Sequence, residues 1–432
     1  MRISSVTMYE QSTASINRQQ NDFLKISQQI ASGRRVVNPS DDPQSAARAV
    51  RVDQSKAITQ QFEDSRVSAR NSLAQTESIL NSISDSVISA KTRLVQASSD
   101  TLSDVDRESI ASELKGIYET MIGQANATDG NGRYLFGGYA DNAPPFVKNS
   151  EGNIEYKGDD NARQQRIDAS RLMPVTENGI SIFQSVPSGA GYVAEAVKSS
   201  DGGQPIAGVE GRNNGSVTFT GPQVGDVNDP DYGESFRIVF GGTEESPTYS
   251  VQRFDADVPE WTAYDPEGDG SFTDSSYDAS GEQLSFGGLS VTLKGEPVAG
   301  DEMLVAQSGS DQRPADLFRT MEAAIRVLET PAQTPAEKAE LRNTLNTSMR
   351  DLDNALDNVL TVRASAGAKL NELDVVDAVG SNRMLNYEQT LSDLVDLDYA
   401  DAISEYSLRQ VGLQASQKAF VDIKGMSLFD FM

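Results

Sequence analysis

The sequence predicts a mainly α-helical chain with a β insert. Its parts are nested antiparallel coiled coils built from the two chain ends, a β-hairpin flap, and an all-β central domain. Three observations predict it. Apolar residues recur every seven positions near both ends, on helices otherwise rich in Gln, Ser, Asn and charge. That period is lost after about residue 127 and returns after about residue 311. Between, Gly, Asp, Ser and Pro separate short β-type runs.

In the first helix Tyr9, Ile16, Phe23 and Ile30 form one heptad column, with Ile26 beside it. A seam this narrow cannot bury itself and needs a partner helix. The helix ends within "ASGRRVVNPSDDPQSAARAV", Ala31 to Val50. Gly33 suits a helix C-terminus. Pro39 holds Asn38 extended. Ser40, Asp41 or Asp42 can cap the next helix, and Pro43 fits its first turn.

That second helix is predicted from Pro43 to Ala97, roughly 80 Å at 1.5 Å per residue. Phe62, Ala69, Thr76, Ile83, Ala90 and Ala97 form one column, and Leu73, Leu80, Val87 and Leu94 the other. A third helix, near Asp106 to Ala127, carries Ile110, Leu114, Ile117 and Met121 on one face. "RYLF", after the Gly130 and Gly132 turn, reads as a short strand. "GNIEYKGDDNARQQRIDA" reads as two alternating strands around a Gly-Asp-Asp-Asn turn, so residues up to 185 complete a flap.

Residues 186–310 read as a compact β domain, from "SVTFTG", "SFRIVFGG", "TYSVQRF" and "LSFGGLSVTLKG". Helix returns at "RPADLFRTMEAAIRVLE" and is interrupted by Pro331 and Pro335. Leu345, Leu352, Val359, Ala366 and Leu373 then form a column beside Met349, Leu356 and Leu370, which Arg363 breaks. Gly380 and Asn382 predict a second helix break. The last helix carries Tyr399, Tyr406, Leu413 and Phe420 at seven-residue spacing. Four thin seams are best buried by pairing the first helix with the last and the second with the penultimate. The expected domains are 1–40 with 383–432, 41–185 with 311–382, and 186–310. The breaks at Asn38–Pro43 and Gly380–Asn382 would then lie at one level, as the two sides of an interdomain joint.

Composition excludes much chemistry. The 432 residues include no Cys, no His and one Trp. No disulfide, thiolate nucleophile, histidine base or Cys/His metal site can be built. The formal charge of −27 disfavours nucleic acid and anionic membranes as partners. Residues 186–310 hold 21 acidic and 5 basic residues, whereas the first 40 hold 2 acidic and 5 basic. No apolar run approaches the roughly 20 residues a membrane helix needs. The opening residues lack a secretory signal's apolar core, so no cleavable address is expected.

"DPEGDGSFTDSS", Asp265 to Ser276, spaces Asp265, Glu267 and Asp269 like a calcium loop, but Ser276 stands where the closing Glu belongs. An acidic hairpin turn is the plainer reading. "GAGYVA", Gly189 to Ala194, has the letters of a dinucleotide fingerprint without a βαβ unit around it. Arg34 and Arg35 can face Asp41 and Asp42 across the joint. Leu428, Phe429, Phe431 and Met432 make an apolar cluster suited to docking on a partner. No catalytic constellation emerges and no cofactor is expected.

"QQIASGRRVVNPSDDPQSAARA" (Gln28–Ala49), "NGRYLFGGYADNAPPF" (Asn131–Phe146), "DLVDLDYADAISEYSLRQVGLQASQKAF" (Asp393–Phe420) and the final "GMSLFDFM" resemble the bacterial flagellin superfamily, and cover the outer two-thirds of the chain. Filament flagellins usually continue with Ala-Gly after the acidic pair, where this chain has Pro43. That difference, "RYLFGG" and the Phe-rich end point to the hook–filament junction branch. The resemblance implies a structural protein exported unfolded through the flagellar type III apparatus. Its implied neighbours are hook-associated protein 1 (FlgK) and flagellin, in a ring of like subunits. An FlgN-type chaperone would bind the C-terminal region before export. Two alternatives stand beside this: hook-associated protein 1 or a flagellin of the same superfamily, and a calcium-dependent adhesin or enzyme domain on a helical stalk.

Narrow seams make isolated terminal helices marginal. Limited proteolysis of the monomer is therefore expected to trim both ends before the centre; uniform resistance along the chain would contradict this.

Overall fold

The computed structural model describes residues 5–150, 152–187, 189–196 and 213–425. The elements, in chain order, are α1 (Ser5–Ser32), α2 (Pro43–Ala97), α3 (Asp104–Ala125), β1 (Phe146–Lys148), β2 (Ile154–Tyr156), β3 (Gln164–Asp168), β4 (Arg171–Pro174) and α4 (Gly179–Phe183). Then come β5 (Tyr192–Glu195), β6 (Thr218–Val224), β7 (Phe236–Thr243), β8 (Ser246–Asp255), β9 (Glu260–Ala263), β10 (Ser275–Ser276), β11 (Glu282–Phe286), β12 (Leu289–Lys294) and β13 (Glu302–Gln307). α5 (Leu317–Glu329), α6 (Pro335–Val395) and α7 (Tyr399–Gly425) follow. The chain divides into two compact units. One holds residues 1–67, 167–171 and 374–432, and the other residues 68–166 and 172–373.

In the first unit α1 lies antiparallel against α7. Asp22 meets Arg409 at 2.9 Å, the Phe23 and Tyr406 rings lie 4.8 Å apart, and Gly33 faces Tyr399. Residue numbers climb along one helix as they fall along the other. The first turns of α2 and the last of α6 pair in the same sense, through Lys56 with Glu388 at 2.9 Å and Arg66 with Asp377. The expected nesting of first helix with last, and second with penultimate, is the observed one.

The second unit is built on a helical bundle. The rest of α2 and α6 are cross-linked by Glu77–Arg363 at 2.8 Å, Lys91–Asp353, and Asp100–Arg342 at 3.3 Å just beyond α2. Arg363, the charged interruption of its column, thus has a partner across the pair. Leu80, Ile83, Val87, Ala90 and Leu94 are fully buried, as are Leu352 and Val359 opposite. α3 and α5 complete this core. Ser103 and Asp106 close a capping box on α3, which fixes its start.

The flap is joined to the bundle by aromatic rings. Phe146, Phe183 and Phe318 pack mutually with centroids 5.0 to 5.3 Å apart: Phe183 stacks on Phe318, Phe146 meets Phe183 edge-on, and Phe146 lies tilted against Phe318. Gly179 lets them close, since a Cβ there would lie 2.6 Å from Phe146 Cζ. Two strand expectations are corrected. "RYLF" is a turn with one bridge, Thr128 to Tyr134, because Tyr134 bonds to Asp141 and Leu135 to Ala127 instead of to a neighbouring strand. The two strands flanking Gly158–Asn161 exist, as β2 and β3, but do not pair with each other. β2 pairs with β1 and β3 with β4, because Asp159 ties its loop back to the Tyr139 and Ala140 amides at 2.6 and 2.9 Å.

The acidic insert is a β-sandwich. A six-stranded sheet, in order β10-β8-β7-β13-β5 with β9 on β8, shares one core with the three-stranded sheet β11-β12-β6. Its contact with α6 is polar. Asn343 donates to the Val217 carbonyl at 2.8 Å and Thr347 to the Ala194 carbonyl at 2.7 Å. Arg313 forks onto Asp351 at 2.8 and 2.6 Å and reaches Glu195 of β5 at 3.1 Å. A bidentate guanidinium of this kind tolerates burial because its donors are satisfied.

The expected helix break at Gly380–Asn382 is absent, for α6 runs unbroken to Val395. An interior Gly costs a helix only about 1 kcal/mol, which a packed helix of this length absorbs. The real break lies at Asp396–Asp398.

Phe318 is 1% exposed at the centre of the ring cluster. Phe318→Ala is expected to cost about 3–5 kcal/mol, read as a lower urea midpoint with unchanged slope. A loss below about 1 kcal/mol would show that the rings add little.

Candidate functional site

The helix joint is a small backbone ladder. α1 ends at Gly33, whose φ of +70° is the left-handed turn that glycine allows most readily. A side chain there would also crowd the Tyr399 hydroxyl at 3.0 Å. Beyond Gly33 the chain bonds across to the second break. The Leu397 amide donates to the Gly33 carbonyl at 3.0 Å, and the Arg35 amide to the Val395 carbonyl at 2.7 Å. Arg34 and Asp396 form an antiparallel bridge between these bonds. The breaks before α2 and after α6 therefore sit at one level.

Two carboxylates hold the loop. Asp41 Oδ2 accepts from the Asn38 amide at 2.9 Å, while the Asp41 amide donates to the Asn38 carbonyl. Its other oxygen meets Lys25 at 3.1 Å. These bonds, Asn38 first and Lys25 next, hold the Asp41 carboxyl below the usual aspartate value of 3.8. Asp42 caps α2 by accepting from the Ser45 amide at 3.0 Å, with Pro43 at the first helical position. Ser45 is the main cause that lowers the Asp42 carboxyl, and Arg35 adds to it. Of the expected charge pairings, Arg35 reaches Asp42 at 4.0 Å, whereas Asp41 turns to Lys25. Arg35 also donates to the Leu394 carbonyl at 2.8 Å. Asp398, which caps α7 through the Ala400 amide at 2.9 Å, was not singled out from sequence. The signal was present in "DLDYAD", an Asp before a helical run.

The terminal helices place the seam residues unevenly. Ile26 is buried, Ile16, Phe23, Ile30, Tyr406, Leu413 and Phe420 are half-buried, and Tyr399 is exposed except for its hydroxyl over Gly33. Tyr9 lies in α1, with its side chain outside the described residues. Leu24, Ile403, Leu408, Val411 and Val421 are exposed; Leu408 reaches 72%. The pair thus covers one seam and leaves a second set of apolar side chains facing outward. Leu428, Phe429, Phe431 and Met432 lie outside the described residues.

The acidic loop is occupied by its own backbone. Asp265 accepts from the Asp269 and Gly270 amides at 3.1 and 3.2 Å, and Asp269 from the Ser271 amide at 2.9 Å. Glu267 is exposed. Among the described residues no three carboxylates converge on a point that can hold a metal ion. "GAGYVA" leads into β5, which pairs with β13, so a strand and not a helix follows these glycines. No helix among the described residues is long and apolar enough to cross a membrane.

Because both joint carboxyls are lowered, their bonds contribute fully above pH 3.8 and are lost as pH falls through the lower folded values. Asp42→Ala is therefore expected to lower the melting temperature at pH 7 and to have a progressively smaller effect as the pH is taken below 3.8. Equal losses above and below that pH would contradict the role of the charge.

A family model described as the bacterial flagellin N-terminal helical region matches residues 3–141. Flagellar hook-associated protein 3 of Escherichia coli K12 is 32% identical over 430 residues, covering 99% of each chain. The protein of the same description from Salmonella typhimurium LT2 is 30% identical, again over 99% of both. The crystal structure of Xanthomonas campestris FlgL superimposes with a TM-score of 0.62 at 28% identity, covering 79% of this chain and 99% of that one. The full-length likeness takes in the joint, the flap and the insert alike: the chain belongs to the flagellar hook-associated protein 3 family, within the bacterial flagellin superfamily.

Proposed function

We propose that this protein is the structural junction between hook-associated protein 1 (FlgK) and the flagellin filament, and that it adapts mechanically between them. One observation carries the reading: the α1–α7 pair covers one seam only in part, with Ile26 buried and most of the other seam residues half-buried, and exposes Leu24, Ile403, Leu408, Val411 and Val421. Apolar side chains left outward on paired helices gain burial only among neighbours. In this reading the chain ends, expected as 1–40 and 383–432, line a tube with like subunits. Segments 41–185 and 311–382 carry torque, and the acidic segment 186–310 faces solvent.

The joint supplies the adaptation. Its backbone ladder and half-buried carboxylate bonds permit small changes of angle where an unbroken helix would not. The tail from Leu428 to Met432 supplies docking to a partner subunit or to an FlgN-type chaperone. Export through the flagellar type III system and an extracellular position on the flagellum complete the proposal. Catalysis has no part in it.

Leu408→Asp with Val411→Asp tests the surface. Both side chains are exposed, so the monomer is expected to keep its circular dichroism and melting temperature. Cells carrying the variant are expected to lose motility and to release unpolymerised flagellin. Normal filaments on such cells would remove the assembly role assigned to this face.

A further inference from the structure

The glycine that sequence reading takes for a helix break has a different use. Gly380 sits inside α6, and a Cβ built on it would lie 2.6 Å from Arg66 Nη2 of α2. Arg66 is buried, its side chain 3% exposed. Its Nε donates to Asp377, one turn earlier on α6, and its Nη1 donates at 3.1 Å to the carbonyl of Ile167, at the end of β3. Ile167 is fully buried. Next to it, Asp168 accepts from Arg383 at 2.9 and 3.4 Å. One guanidinium thus touches both long helices and the tip of the β3–β4 hairpin, while a second charge pair clamps that tip from the outside.

We propose that Arg66 and Gly380 form a register lock: the guanidinium seated in the space of the missing side chain fixes α2 against α6 and straps the hairpin tip, Ile167 to Arg171, onto the pair. A heptad seam resists separation but only weakly resists slip, because a shift of seven residues restores its apolar contacts. A buried forked cation that must satisfy two acceptors does resist slip. Axial displacement withdraws the guanidinium from both acceptors together, so loss of register and release of the tip are one event. The lock concerns the isolated chain and does not rest on the junction reading.

Gly367, also inside α6, is the control, since nothing lies within 4 Å of its missing Cβ. On helix propensity alone both Gly→Ala changes stabilise. The lock predicts opposite outcomes. The chain has no cysteine, so Ser170→Cys at the exposed hairpin tip accepts a single nitroxide label. In the monomer the label is expected to be immobile in the parent and in Gly367→Ala. In Gly380→Ala its mobile population is expected to rise about tenfold or more, since the loss of even one hydrogen bond to a charged group would produce about that change and the lock loses both together. Arg66→Lys keeps the charge and surrenders the fork, fits the same space, and is expected to free the tip as well. A tip that stays immobile in Arg66→Lys, or that is released equally by Gly367→Ala, would overturn the lock.

Discussion

The structure depends on burying apolar seams too narrow to stand alone. Each long helix presents one or two columns of aliphatic and aromatic residues on a surface of Gln, Ser, Asn and charge. Such a helix is marginal in water. It becomes stable when a helix from the far side of the sequence runs antiparallel against it. α1 takes α7 and α2 takes α6, which forces the chain ends together and makes everything between them an insertion. The flap, the sandwich and α5 all lie within that insertion.

Specificity within the pairs comes from polar groups. Lys56–Glu388, Arg66–Asp377, Glu77–Arg363 and Lys91–Asp353 step along α2 and α6 in matching order. The exposed ones contribute little energy, but each is satisfied at one register. The sandwich meets α6 in the same manner, through Asn343, Thr347 and Asp351 instead of an apolar stripe. The Asp316 carboxyl beside that contact is pushed up by burial, yet it caps α5 by accepting from the Phe318 and Arg319 amides. A polar contact fixes orientation and leaves the insert's own core free to vary.

The same logic links fold to function. A pair of helices that buried all of its apolar surface would have nothing left for neighbouring subunits. The α1–α7 pair keeps part of it outward, beside a joint made of backbone bonds and half-buried carboxylates. In the proposed reading, assembly and adjustment of angle occupy adjacent stretches of chain.

The sequence by itself determined the elements: the seven-residue columns gave α1 and α2 and the presence, though not the boundary, of α6 and α7, and the Asn38–Pro43 signals located one side of the joint. It also determined the nesting, since thin seams admit few other partners. The other side of the joint was decided only by tertiary structure. Gly380 and Asn382 carry the letters of a helix stop, but packing against α2 outweighs the small propensity loss, and the missing Cβ is filled by Arg66. Asp398, with an equally ordinary capping signal, marks the real break because Gly33 and Arg35 lie opposite to bond it. Strand partners in the flap were likewise beyond local reading. β2 and β3 are adjacent in sequence, yet Asp159 folds their loop onto the Tyr139 and Ala140 amides and sends each strand to another neighbour. Local residues set what a segment can become; contacts distant in sequence set which of its possibilities lies lowest in free energy.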